Sequence, residues 1–281
     1  MLRTFGSTAA APLSAADYDE ALELCAEDPL TNVFVAARLL DGGPAHTSSL
    51  IGLREEGMIT AMCWASANLV PVGVTPRNAD HFVGRLRRHR RRCSSIFGTA
   101  EQVLTLWERM ERTWTRPRAI RRHQPMMALD DRDWTPGPTD PRVRPAHLDE
   151  VDLVLPAAAH MFTGEIGYPP YVGSDREYRR MIAALIRAGH TYVIVERGRV
   201  IFKADVGSLG LGVAQIQGVW VAPELRGHGI AVPAMNAVVE QVLATFAPTV
   251  SLYVNDFNEP AVRTYRACGF EQRAEFATVI L

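Results

Sequence analysis

Between residues 177 and 188, Met181, Ile182, Leu185 and Ile186 recur at the three- and four-residue spacing of a helix with one apolar face. From residue 143 onward, such segments alternate with shorter β-branched runs. Val143–Ala146 reads as a short strand entering a helix from about Leu148. Met161–Gly173 reads as an aromatic loop broken by Gly164, Gly167, Pro169 and Pro170. Thr191–Glu196 and Val200–Val206 read as strands around an Arg197-Gly198 turn, Gly207–Gly212 as a second turn, and Val213–Val221 as a longer strand. Gly227 and Gly229 lead into a helix over about Ile230–Phe246. A strand at Val250–Val254, a helix at Glu259–Cys268 and a last strand at Phe276–Leu281 complete the order. An antiparallel meander followed by a β-α-β-α unit predicts an α/β (α+β) fold, a mixed and mostly antiparallel sheet flanked by helices.

The first half carries a fainter version of that order. Leu13–Ala26 reads as an entry loop and helix, Ser49–Arg54 and Met58–Ala65 as a hairpin around Glu56-Gly57, and Leu69–Val74 as a strand. Arg77–Arg92 reads as a helix, Ser95–Phe97 as a strand, Glu101–Trp114 as a helix, and Met126–Leu129 as a closing strand. Val72-Gly73-Val74-Thr75-Pro76 matches Val219-Trp220-Val221-Ala222-Pro223 in pattern and order, which suggests a diverged internal duplication. Pro136, Pro138, Pro141 and Pro145, with Gly137, interrupt the pattern between the halves; proline disfavours both helix and central strand. The expected domains are therefore 1–133 and 142–281.

A length of 281 residues agrees with two domains, each long enough to bury a core. With 47% hydrophobic and 22% charged residues, the chain is not a disordered or collagen-like one. No apolar run reaches the roughly 18 residues that would suggest a membrane span, and residues 1–16 lack the apolar core of a secretory signal. A cytoplasmic protein with no membrane association is expected. The net charge of -1 gives no global attraction to nucleic acid. Arg85–Arg92 is a local basic run, read as a solvated helix face with Phe82, Leu86 and Cys93 turned inward, so nucleic acid is not expected as a partner. Cys25, Cys63, Cys93 and Cys268 show neither C-x-x-C nor zinc-ligand spacing, so no metal is expected. Lys203 is the sole lysine; every other basic residue of the Lys+Arg set is arginine.

The stretch with the clearest chemistry is Val219-Trp220-Val221-Ala222-Pro223-Glu224-Leu225-Arg226-Gly227-His228-Gly229-Ile230-Ala231. A strand ends, the chain turns through two glycines, and an apolar helix begins. Glycine permits positive φ and close approach of a ligand to the backbone. The first-turn N–H groups of the helix, with the positive end of its dipole behind them, make an anion site. Neither G-x-G-x-x-G nor a Walker loop is present.

Arg226-x-x-Gly229-x-Ala231 after Val-x-Val-x-Pro resembles the acetyl-CoA signature of the GNAT acetyltransferase superfamily. Leu252-Tyr253-Val254, then Asn258-x-x-Ala261-x-x-x-Tyr265 and Cys268-Gly269-Phe270, resembles the second hallmark of that family, and Val143-Arg144-Pro145-Ala146 with Asp149 its opening. The resemblance covers about 142–281. It implies a GNAT fold, and with the duplication two tandem GNAT-like domains, of which the first is degenerate and of unknown function: Arg77-Asn78-Ala79-Asp80 follows Pro76 without glycines, and Asp80 would repel a pyrophosphate.

The resemblance implies acetyl-CoA as co-substrate, with the pyrophosphate on Arg226, Gly227, His228, Gly229, Ile230 and Ala231. The pantetheine arm would run along the strand Val219, Trp220, Val221. The N–H of Val219 would meet the thioester oxygen, a donor placed where charge develops. Asn255, Asn258 and Ala261 would line the cofactor arm, and Tyr265 would protonate the leaving thiolate. Several relatives place a glutamate where this chain has Gln215, and Gln217 faces the same side; a carboxamide cannot serve as the base. Glu165, Asp205, His160, Glu196 and an ordered water all stand as replacements, with Glu165 preferred as the second catalytic residue because it lies on the side where acceptors enter. Residues 271–281 leave room for one long strand or a compressed pair.

The function expected is acetyl-CoA-dependent N-acetyl transfer to an amine on a small molecule or protein, by direct attack in a ternary complex. A non-catalytic acyl-CoA sensor, and transfer of another acyl or aminoacyl group, are the alternatives. A homodimer is open.

Overall fold

The computed structural model describes residues 9–281. In chain order its first elements are β1 (Ala11–Pro12), α1 (Tyr18–Ala26), α2 (Pro29–Gly42), β2 (Leu50–Glu55), β3 (Met58–Ala65), β4 (Asn68–Val72), α3 (Asp80–Leu86), β5 (Ser95–Thr99), α4 (Ala100–Met110) and β6 (Ala119–Asp130). They are followed by β7 (Arg144–Pro145), α5 (Val151–Ile166), α6 (Arg176–Arg187), β8 (Thr191–Glu196), β9 (Arg199–Gly210), β10 (Val213–Val221), α7 (Ala231–Thr245), β11 (Thr249–Tyr253), α8 (Glu259–Ala267) and β12 (Glu271–Ile280). This is the mixed, mostly antiparallel α/β fold that the pattern of the sequence predicts.

The residues fall into two compact units. The first comprises residues up to Met126 with Tyr253–Phe257 and Gln272–Leu281; the second comprises Met127–Leu252 and Asn258–Glu271. The units are thus discontinuous in sequence, whereas the expected domains 1–133 and 142–281 are contiguous.

Within the first unit the strands run β1-β2-β3-β4-β5-β12. β2, β3 and β4 form an antiparallel meander, and β4 pairs with β5 in parallel through Asn68↔Ser95 and Leu69↔Ile96. β12 is the single long strand allowed by residues 271–281, and it pairs antiparallel with β5 from Phe276↔Thr99 to Ile280↔Ser95. Phe82, Leu86, Trp107, Met110 and Val279 lie in one apolar core. Phe82 and Leu86 are fully buried and Cys93 nearly so, which leaves the arginines of the basic run on the other side of α3 and the turn after it.

The second unit repeats the plan, β11-β10-β9-β8-β7, with β7, β8, β9 and β10 antiparallel and β10 parallel to β11. The same strand order, with one parallel pair at the same place, is what a duplication predicts. α5 and α6 pack Val154, Ala158, Ile182 and Ile186 against Val193 and Val200 of the sheet. Removing one of these buried side chains, as in Ile186→Ala, costs about 2–5 kcal/mol.

Four local departures from the sequence reading have physical causes. α2 was not predicted, although its start is signalled: the Asp28 carboxylate accepts from the Thr31 N–H, and Pro29 stands at the first helical position. Residues 161–166 are the last turns of α5, not a loop, because Gly164 is tolerated inside the helix and the stop comes at Gly167, in the left-handed conformation at φ 89. β9 runs through Gly207, read as a turn residue, to Gly210; the hairpin turns at Leu211 and Gly212, both at positive φ. Arg77–Arg92 is only a short α3 continued by a 3-10 turn.

Candidate functional site

β10 and β11 pair only from Val213↔Thr249 to Gln215↔Ser251, among the described residues. Beyond that point β10 continues to Val221 without β11 beside it. Its register with β9 is also interrupted: Gln217 is opposite Asp205 and Trp220 opposite Lys203, so Gly218 and Val219 bulge between them. A bulge re-aims the backbone locally and frees its donors and acceptors from the ladder. Val219, the residue expected to meet the thioester oxygen, lies in that bulge. The indole of Trp220 packs on the α5–α6 core, and its N–H donates to His160 Nδ1 at 3.1 Å.

After β10 the chain reaches the glycine loop. Gly227 and Gly229 both have φ 78, and a Cβ at either would meet nothing within 4 Å. The glycines therefore serve backbone conformation, not packing. Arg226 Nε donates to Val221 O at 3.1 Å, and His228 Nδ1 lies 3.0 Å from Arg226 O. These contacts tie the two side chains to the loop. Ala234 N donates to Ile230 O at 3.2 Å as α7 begins, so the N–H groups before Ala234 are the turn that an anion would use. Arg226, Gly227, His228 and Gly229 are exposed and Ile230 and Ala231 half-buried. Strands whose pairing has ended, an exposed glycine turn and a helix start with the Arg226 guanidinium nearby fit a pantetheine arm ending in a pyrophosphate.

Asn258 caps α8, its Oδ1 accepting from the Ala261 N–H at 3.4 Å. Asn255 belongs to the first unit, where its Oδ1 accepts from Gln124 Nε2 at 2.9 Å and Thr278 donates to Gln124 Oε1 at 2.7 Å.

Tyr265 is on α8, 8% exposed, with its ring edge-on to Phe270. Burial pushes its phenol well above the ordinary range, and the charges of Glu165 and Cys268 push the same way. It is therefore a neutral phenol at pH 7, the form able to donate a proton. Glu165 lies on the exposed last turn of α5. The two residues expected to be catalytic thus feel each other within one unit.

Gln215 is buried and Gln217 exposed, so neither β10 position brings a carboxylate. The carboxylate beneath this part of β10 is Asp205 of β9. It is 4% exposed, paired with the fully buried Lys203, and accepts from Thr191 Oγ1 at 2.9 Å. Sequence reasoning named Asp205 only among several replacements and assigned Lys203 no role. The available signal was a lone lysine two residues from an aspartate on one strand face.

The corresponding place in the first unit is self-satisfied. The Val74 N–H donates to Gln102 Oε1 at 3.0 Å, and Asn78 bonds Thr75 N and Gly73 O. A cleft of about 480 Å³ remains there, but Asp28, Glu101 and Glu275 line it. All four cysteines are buried thiols; burial raises Cys25 and Cys268 to about 12 and Cys93 to about 11, so none is a ready nucleophile.

Residues 159–270 match the model of the acetyltransferase (GNAT) family. Most of the matched residues lie in the second unit. Residues 48–154 match a different family, a domain of unknown function designated DUF4081. No curated protein matches the chain. Among solved structures, a GCN5-related N-acetyltransferase from Sphaerobacter thermophilus is 17% identical, with a TM-score of 0.57 over 96% of this chain and 93% of that one. A tandem GNAT protein from the clavulanic acid biosynthesis pathway is also 17% identical, with a TM-score of 0.53 over 96% and 98%. A Drosophila protein is 14% identical, with a TM-score of 0.61 over 98% and 99%. At these identities the likeness is one of fold. It spans both units. No helix among the described residues is long and apolar enough to cross a membrane.

Proposed function

We propose that the chain is an acetyl-CoA-dependent N-acetyltransferase acting on an amine of a small molecule or protein, by direct attack in a ternary complex. The observation that carries this reading is the early end of β10–β11 pairing at Gln215↔Ser251, directly ahead of the positive-φ turn at Gly227 and Gly229. That arrangement offers backbone donors and acceptors to an extended amide-bearing arm and N–H groups to its phosphates. The Val219 N–H would hold the thioester oxygen, where negative charge grows as the amine attacks. Tyr265 gives its proton to the departing sulfur. Glu165 lies on the side from which the acceptor enters.

Calorimetric titration with acetyl-CoA tests the reading. Micromolar binding is expected, and it should be lost in an Arg226→Ala/Gly229→Val variant. A wild-type protein that does not bind acetyl-CoA would refute it. Location in the cytoplasm and a homodimer belong to the same proposal.

A second reading, a non-catalytic acyl-CoA sensor, is favoured by the carboxamides Gln215 and Gln217 where a base would stand. Thiol release in the presence of amines separates it from catalysis.

A further inference from the structure

We propose that Asp205 is the residue that takes the proton of the acceptor amine, with Lys203 and Thr191 positioning its carboxylate. This rests on the transfer reaction proposed above.

Three independent observations converge on this pair. Lys203 is the chain's only lysine and is fully buried, with Asp205 beside it nearly so. A buried ion pair is a poor device for stability, since apolar residues of similar volume do as well or better. Second, the pair lies beneath the β10 bulge. A side chain on Gly218, which has φ 62, would bring its Cβ to 3.1 Å from Asp205 Oδ2 and 3.2 Å from Lys203 Nζ. Glycine at this position lets the β10 backbone approach the carboxylate closely, one residue before Val219. Third, the β10 side chains that could act as base are carboxamides, and Gln217 is the register partner of Asp205.

The carboxylate is held on both oxygens. Thr191 donates to Oδ1 and Lys203 to Oδ2. Each oxygen keeps acceptor capacity, and Oδ2 is the oxygen beside Gly218. The groups around it are Lys203 from β9, Thr191 from β8, Gln217 from β10, Met161 from α5 and Tyr178 from α6. The Tyr178 phenol is raised to about 12, by burial first and then by the charges of Asp205 and Tyr171. His160 of α5 is engaged by Trp220, the register partner of Lys203.

In the step, the acceptor ammonium gives one proton to Asp205 Oδ2, and the neutral nitrogen then bonds to the thioester carbon and sheds a second proton to solvent. The C–S bond breaks, and sulfur takes the Tyr265 proton. Asp205 then releases its proton to solvent, and Tyr265 regains one.

The lone lysine makes the test direct. Protein labelled with 15N at the lysine Nζ carries one lysine side-chain signal. It should shift when acetyl-CoA binds. A signal unmoved while calorimetry shows binding would overturn the proposal.

Thiol release with two probe amines supplies the second arm. Ethylamine must lose a proton to react, whereas hydroxylamine is already neutral at pH 7. Asp205→Asn should lower the ethylamine rate at least about 100-fold and the hydroxylamine rate less than about 10-fold, with acetyl-CoA affinity kept. Lys203→Met should lower kcat with ethylamine and leave acetyl-CoA affinity in place. Equal losses with both probes would make the pair structural, and a selective loss in Glu165→Gln instead would move the role to Glu165. If the wild type binds acetyl-CoA but releases no thiol with either probe, the transfer reading fails and this proposal fails with it.

Discussion

The carboxylate of Glu165, on the last turn of α5, raises the pKa of the buried Tyr265 phenol on α8. Burial is the larger cause, and both act to keep the proton on the tyrosine. A phenol in that state carries its proton across the whole physiological range. Tyr265→Phe should therefore lower turnover by about 100-fold or more while acetyl-CoA affinity changes little. Thiol release and calorimetry on the same preparation check both halves of the expectation.

The loop glycines allow a test that separates conformation from packing. A Cβ at Gly229 meets no atom within 4 Å, yet its φ of 78 is costly for any side chain, by about 1–2 kcal/mol. Gly229→Val should weaken acetyl-CoA binding at least about tenfold by reshaping the turn. The melting temperature should move by only a few degrees, since about 1 kcal/mol corresponds to roughly 2–4 °C in a chain of this size.

In the first unit, Gln102 occupies the Val74 N–H. Gln102→Leu removes that acceptor and should cost about 1 kcal/mol in a denaturant titration. Acetyl-CoA stoichiometry should stay at about one per chain, because the acidic side chains lining this cleft still oppose an anion.

The pH dependence of stability has a defined source in the second unit. The hydrogen bonds from Arg144 hold the Glu150 carboxyl down at about 2, and those from Arg142 lower Asp140. A depressed carboxyl stabilises the fold above its unfolded value, near 4.3 for Glu. That contribution fades as pH falls toward 2. Glu150→Gln should thus melt lower than wild type at pH 7, with the gap closing near pH 2 in a calorimetric series.

Much of this was legible in the sequence where local chemistry decides. The helices at 176–187 and 231–245 and the strand at 191–196 follow from apolar period and glycine punctuation. Features set by distant neighbours were not legible. Gly207 reads as a breaker, yet it lies in β9 because the Gln217 side chain needs the room: a Cβ there would fall 2.1 Å from Gln217 Cδ. Glu165 reads as a loop residue because Gly164 precedes it, yet α5 runs on to the left-handed stop at Gly167. Lys203 and Asp205 are buried with side chains from other elements around them, Thr191 of β8 among them. The discontinuous units were hidden for the same reason: no local signal says which strand residues 272–281 will join.

That last pairing bears on the order of assembly. Ser95–Thr99 leaves the ribosome long before Phe276–Ile280, the segment that completes its ladder. The first unit to be synthesised must therefore wait, with one flank of β5 unfilled, until nearly all of the second has been made. Translation rate through residues 127–271, and any chaperone that shields an open strand in the interval, become determinants of the yield of active protein.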